Sequence, residues 1–402
     1  MTCLSKSECS VLDHAAAAPM LDQVQQWAAI NSGTGNLAGL RQMASLLADA
    51  FAHLPGTVRL CDADPVDSVT AQGHIEPIFR GQNLHVQVRP DAPLRVLLTG
   101  HMDTVFPADH PFQTLTWREV GILNGPGTAD MKGGIAVMLA ALAALETSPL
   151  AARIGYDVLI NSDEETGSHG SARLITELAA GKAAALTYEP ALPDGTLAGA
   201  RPGSGNFSIT LHGRAAHAGR NPEDGRNALL AAADLALRLA ALKHPALSVN
   251  PARIDGGGPN NVVPDTATLR VNMRPMTSQA MTQALAALHA SIADVEAKHE
   301  VHAHLHGSFN RPPKPLDPEA EQLFGLVRQC GDDLGLPINW KATGGVCDGN
   351  NIAACGVPVV DTMGPRGGAI HSADEFLIVD SLAERAQLSA LTLLRLAEKG
   401  GL

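Results

Sequence analysis

Three short apolar runs, RVLLTG at 95–100, YDVLIN at 156–161 and AALTY at 184–188, lead straight into the polar residues His101, Asp163 and Glu189. An Ala/Leu-rich segment, roughly Gly133 to Leu145, separates the first two and has helical composition and length. Strands that alternate with helices are joined by crossovers, so the chain should form an α/β unit with a mostly parallel sheet and helices on both faces. In such sheets ligands gather at the carboxyl ends of the strands, where these polar residues fall.

The pattern changes after ARPGSG. In NFSITLHG, Phe207, Ile209 and Leu211 alternate with polar neighbours, the period of a half-buried strand. An Ala/Leu helix near 227–243, a strand at 268–274, a helix near 278–297 and a strand at 300–306 complete a small α+β sandwich. NRPPKPLDP, 310–318, has four prolines and reads as the linker out. The expected organisation is a discontinuous catalytic domain, 1–205 and 316–402, around an inserted smaller domain, 206–315. A chain of 402 residues is past the size at which one core stops growing, so two domains are natural.

The charge balance narrows the partners. With 41 acidic against 29 basic residues and a net charge of −12, the chain lacks the basic surplus that nucleic acid requires. No run of 18 or more apolar residues and no export signal are read, so no membrane partner is expected. The six cysteines, Cys3, Cys9, Cys61, Cys330, Cys347 and Cys355, form no C-x-x-C pair and no disulfide framework, which fits a reduced, cytoplasmic setting.

Taken singly, the polar residues are ambiguous. His101 and Asp103 in GHMDTVFP lie two apart beyond a strand, where an i+2 carboxylate can fix a histidine's second nitrogen. Asp130 in GPGTADMKGG would pass for a helix N-cap. Asp163, Glu164 and Glu165 are consecutive acids that repel one another unless a cation or shared proton intervenes. Glu189 follows an apolar strand and His371 a Gly-rich turn. Together they supply the mixed N and O donors that suit catalytic zinc, and a carboxylate bridging two cations beside a base makes a two-metal hydrolase.

In this combination and order, GHMDTVFP, GPGTADMKGG, SDEETGS, YEPA, AAHAG, NNVVP and GGAIHSADEF resemble the M20 metallopeptidases, in particular their glutamate carboxypeptidase branch. The resemblance implies that His101 and Glu189 hold one metal, that Glu165 and His371 hold the other, and that Asp130 bridges them. It implies two Zn²⁺ per subunit, with Co²⁺ or Mn²⁺ also compatible with such donors. Glu164 would be the general base, passing the proton of the attacking water to the leaving amine, and Asp103 would orient His101. A homodimer is implied, in which His217 of AAHAG completes the partner's site.

Arg274 shares the polar face of a strand with Arg270 and Asn272; it is either surface charge or the reader of a substrate carboxylate. Asn261 of NNVVP is a further substrate-binding candidate, though Asn in such a loop is commonly a turn former. Cys347 stands where related enzymes carry Ser or Thr, a departure that bears on the substrate pocket.

Other patterns fall away. In HEVHAHLH, 299–306, the histidines alternate with Val301, Ala303 and Leu305 as on one face of a strand, and the spacing is wrong for H-E-x-x-H. No complete G-x-G-x-x-G and no G-x-S-x-G elbow occur. The expected reaction is amide hydrolysis of a peptidyl or N-acyl amino acid with a free carboxylate. The alternatives are an N-acyl-amino-acid deacylase or dipeptidase with the same centre, and a non-catalytic metal-stabilised binding protein, against which the intact Glu164 argues.

Overall fold

The computed structural model describes residues 4–402; Cys3 lies outside them. A six-stranded sheet runs in the order Thr57–Cys61, Asn83–Val88, Ile154–Asn161, Leu94–His101, Ala184–Thr187 and Val359–Val360. Its last three pairings are parallel and its first two antiparallel, so only Asn83–Val88 runs against the rest. The sheet is therefore mixed at one edge and parallel across the centre.

Alternation along the central strand sends side chains to opposite faces. Val96 and Leu98 join the larger core, and Leu97 joins a smaller one with Ile175 and Ile352. The helices Gly134–Glu146 and Ser381–Lys399 cover the first face; Ala172–Ala179 and Asp348–Ala354 cover the second. Truncating a fully buried residue such as Leu98 to Ala would cost about 2–5 kcal/mol. One segment, Thr128–Glu146, is long and apolar enough to cross a membrane, but it is 94% buried within the molecule. A helix apolar on every side belongs in a core.

A separate core extends from Phe207 to Val301. Here the strands Leu247–Gly256, Thr266–Pro275, Ser204–His212 and His302–Arg311 form an antiparallel sheet in that order, packed on the helices Ala228–Ala241 and Ser278–His299. The first of these strands escapes the sequence reading. It is an edge strand with a bulge at Pro251 and a mostly exposed surface, so it carries little apolar alternation. The last strand runs on to Arg311 and takes in the start of the Pro-rich segment read as linker.

The chain enters and leaves this sheet at one place, since Ser204 pairs with Arg311 and Arg201 bridges Lys314. Side chains hold the crossing. Arg201 and Lys314 both reach buried Asp361, at 2.7 and 3.1 Å. The Asn350 amide donates to the carbonyls of Pro202 and Pro312, each at 2.8 Å.

Candidate metal centre

The donors arrive from strand ends and the loops beside them. His101 ends the central strand Leu94–His101, Glu164 and Glu165 form a short turn after Ile154–Asn161, and Glu189 follows Ala184–Thr187. Asp130 lies just ahead of the helix Gly134–Glu146, and the peptide bond after it is cis. That helix is drawn against the strand end carrying Glu189, because a Cβ on Gly134 would lie 1.9 Å from the Tyr188 carbonyl oxygen. His371 sits in a turn with φ +63°, a left-handed conformation uncommon for a residue with a side chain.

Among the residues expected from the sequence, the fold brings together His101, Asp130, Glu164, Glu165, Glu189 and His371. The two Asp130 oxygens face different imidazoles: Oδ1 lies 3.1 Å from His101 Nε2 and Oδ2 lies 3.2 Å from His371 Nε2. Glu189 stands 3.8 Å from His101 Nε2, and Glu165 stands 3.1 Å from His371 Nε2. His101 Nδ1 is within 3.0 Å of the Asp103 carbonyl. With Nδ1 donating there, Nε2 is turned towards the carboxylate oxygens of Asp130 and Glu189, where it can share either a proton or a cation with them.

The electrostatics say the same. Burial raises Glu165 to about 8, with the Asp130 charge adding to it, and raises Glu164 and Glu189 as well. Hydrogen bonds to Asp130 and Glu165 lift His371 to about 11. Burial would lower His101, but Asp103, Asp130 and Glu189 outweigh it and hold the imidazole well above its ordinary value. Burial would raise Asp130 too, but the His101 and His371 imidazoles outweigh it and hold that carboxylate ionised, so three acids crowd a fourth that keeps its charge. Divalent cations would supply the missing positive charge, and the donor set fits them.

The supports around the donors were not legible in the sequence, with one exception. Asp103, expected to orient His101, also accepts from Thr34 Oγ1 at 2.7 Å and from the Glu164 and Glu165 amides at 3.1 and 3.2 Å. Glu375 accepts from the amides of Gly127, Ala129 and Asp130, at 3.1, 3.0 and 3.1 Å, and burial lifts its carboxyl to about 7. Buried Arg311 donates to the Glu164 carboxylate and to Ser168, and lies 3.5 Å from Asp348. Arg311 had no local signal, because its Pro-rich setting looks like a linker. Glu375 follows His371 by four residues in an acidic turn that resembles surface.

The donors open onto a cavity of about 260 Å³, whose lining also includes Thr343, Val346, Cys347 and Ile370. The Cys347 thiol is buried and approaches Asp361 at 3.5 Å, and burial holds its pKa well above the usual range. Asp361 is itself engaged by Arg201 and Lys314, so Cys347 contributes a closed wall to the cavity. His217, Arg274 and Asn261 are outside the lining. His217 is exposed on a short strand and its Nδ1 accepts from the Gly219 amide at 3.1 Å. The Asn261 carbonyl accepts from Ala218 at 2.9 Å, beside it. Arg274 reaches the rim, donating to the Gly344 carbonyl at 2.8 Å. The histidines of 299–306 form no metal-ligand group among the described residues.

An open α/β sheet with imidazoles and carboxylates gathered at its strand ends and the loops beside them, buried except for the half-exposed His371, has the donor set of a metallohydrolase. The chain belongs to peptidase family M20/M25/M40, whose model matches residues 97–395. It is 28% identical over 404 residues to carboxypeptidase G2 of Pseudomonas sp. (strain RS-16), covering 97% of this chain and 92% of that one. It is 30% identical over 339 residues to the succinyl-diaminopimelate desuccinylase of Pseudoalteromonas translucida, covering 79% and 88%. Among solved structures, a tripeptidase from Staphylococcus aureus matches with a TM-score of 0.73 at 23% identity, covering 94% and 98%. The M20 family metallo-carboxypeptidase Sso-CP2 from Sulfolobus solfataricus matches at 0.71 and 13%, covering 94% and 98%. At these identities the solved structures speak for the fold. The chain is an enzyme, a hydrolase of a metallopeptidase family that uses divalent metal.

Proposed function

We propose that this enzyme hydrolyses the amide bond of a peptidyl or N-acyl amino acid bearing a free carboxylate, with two Zn²⁺ per subunit. The observation that carries the two-ion reading is Asp130, whose oxygens stand 3.1 and 3.2 Å from the two imidazoles. His101 and Glu189 would hold one ion and Glu165 and His371 the other, with Asp130 between the two pairs. When bound, the ions supply Lewis acidity and stabilise the developing negative charge.

The chain's own groups do the rest. Glu164, buried beside the donors, takes the proton of the attacking water and returns it to the leaving amine. Asp103 orients His101 and holds the Glu164 and Glu165 backbone. Arg274, at the rim, reads the substrate carboxylate, for which a guanidinium is the best match. Asn261 assists from the loop beside His217. The names of two relatives, a carboxypeptidase and a desuccinylase, support an amide substrate of this class.

The organisation proposed is a catalytic domain of 1–205 and 316–402 with a lid of 206–315 that dimerises and lends His217 to the partner's site. The separate core of the second unit supports this division. Exposed Leu230 and Leu237, at 60% and 73%, lie on one face of its helix Ala228–Ala241 and suit a contact between copies. The unpaired cysteines Cys9, Cys61, Cys330, Cys347 and Cys355 support a reducing, cytoplasmic setting.

The test is a release assay on zinc-loaded protein with C-terminal-Glu and C-terminal-Leu peptides, acetyl-amino acids and dipeptides. Free amino acid should appear from at least one substrate class. Fully metallated protein that releases nothing from the panel would overturn the reading.

A further inference from the structure

The hairpin formed by Val66–Val69 and Ile75–Ile78 leans on the open face of the four-stranded sheet. Arg270 of the sheet donates to the Val69 carbonyl at 2.7 Å, and Gly73 lies so close to Thr210 that a Cβ there would come within 2.4 Å of the threonine methyl. Hairpin, sheet and the loop carrying His169 enclose a cleft of about 720 Å³ that shares no lining residue with the metal-centre cavity.

Four cationic or imidazole side chains line this cleft: Arg80, His169, Arg270 and His306. Arg270 is engaged, with Asp255 at 3.2 Å, Ser208 at 3.3 Å and the Val69 carbonyl. The other three lack acidic partners among the described residues. Arg80 Nε is buried without any hydrogen-bond partner, an unusual state for a guanidinium nitrogen. The lining also holds one acid, Asp67, an exposed residue of the hairpin. His169 experiences the resulting field: burial, then Arg311, Arg80 and His306, depress its pKa.

We propose that this cleft is an anion site for a small phosphate- or carboxylate-bearing ligand, gripped by Arg80, His169 and His306. A guanidinium and two imidazoles form charge-assisted hydrogen bonds to either kind of oxyanion. The site draws on both units, since His306 comes from the four-stranded sheet and Arg80 and His169 from segments outside it. A bound anion therefore ties the two units together away from the metal ligands.

Isothermal titration of zinc-loaded protein at constant ionic strength tests this, with inorganic phosphate and glutarate as separate probes and chloride as control. One probe should bind saturably, and Arg80→Gln and His306→Gln should each weaken that binding about tenfold or more. Metal content should not change in either variant. Phosphate that binds at the metal centre is insensitive to both substitutions, so only the variant-sensitive component supports the proposal. The better probe identifies the anion class. Crystals soaked in selenate provide a second readout, with an anomalous peak expected in the cleft between Arg80 and His306. Equal binding by wild type and both variants, no saturable binding by wild type, or selenate found only at the metal centre would overturn it.

Discussion

Arg311 holds Glu164 at two points, donating to its carboxylate through one nitrogen and to its backbone carbonyl through the other, the latter at 2.9 Å. The acid proposed to move the proton is thus fixed by a residue at the end of a strand of the other unit. Glu164→Gln should keep both metals, measured by elemental analysis, while the rate falls on the order of 10²–10⁴-fold, as for a lost acid/base. Glu165→Gln should instead weaken metal binding. The opposite pattern of metal content would reverse the two roles.

Removal of metal tests the centre as a whole. Dialysis against a chelator should abolish hydrolysis, and adding Zn²⁺ or Co²⁺ should restore it. Mass spectrometry under native conditions should find two ions on each fully loaded chain. Full activity in metal-free protein would refute the proposed mechanism.

Asp103 serves several partners at once: the Thr34 hydroxyl, the Glu164 and Glu165 amides, and the His101 ring 3.4 Å away. Asp103→Ala should therefore weaken metal binding about 10–100-fold, the usual range for losing a group that orients a ligand. It should also slow turnover at saturating metal, because Glu164, the proposed base, loses an anchor for its backbone. Competition with a zinc indicator gives the first quantity and saturating-metal kinetics the second.

The proposed sharing of His217 can be tested by complementation. Glu164→Ala and His217→Ala homodimers should each be nearly inactive, the second by roughly 3–4 kcal/mol if His217 donates to the developing oxyanion. Refolded together, they should form mixed dimers with one complete site and regain activity. Verified mixed dimers as inactive as the parents would exclude action across the interface.

Stability against pH should report on Asp157, which accepts from His85 and Gln87 at 2.8 and 3.2 Å and pairs with Lys182 at 3.0 Å. Burial would raise its pKa, but His85 and Lys182 outweigh burial and hold it below the ordinary 3.8. A lowered folded-state value means that the contribution is complete above the unfolded value and disappears as pH falls through the folded one. Asp157→Asn should cost about 1.5–3 kcal/mol near neutrality. Urea titrations of the two proteins should begin to converge near about pH 4 and go on converging as pH falls through the lower folded-state value.

The sequence was most readable where local chemistry and position agree. Apolar runs located the strand that ends in His101 and the one that Glu189 follows, because a strand buried on both faces has few ways to be written. The helices expected near 227–243 and 278–297 appear as Ala228–Ala241 and Ser278–His299. Residues whose importance depends on distant neighbours were not readable. Asn350 looks like a helix-start residue until the fold places both crossing segments against its amide. Arg80 carries no motif, and only the hairpin and the sheet together make it line a cleft.

The placement of the helix Ser381–Lys399 shapes how the chain can be made. It is near the end of the sequence, yet Leu388, Leu391 and Leu394 lie in the main core, and it packs on Lys6–Ala16 and Gly134–Glu146. During synthesis those two helices emerge long before their neighbour and present an uncovered apolar face in the interval, a period of exposure to aggregation and to chaperones. Early folding of the second unit shortens this detour. Because Ser204 and Arg311 are paired, the intervening chain, once folded, acts as a short connection, and each halving of effective loop length saves about 0.6 kcal/mol of closure entropy.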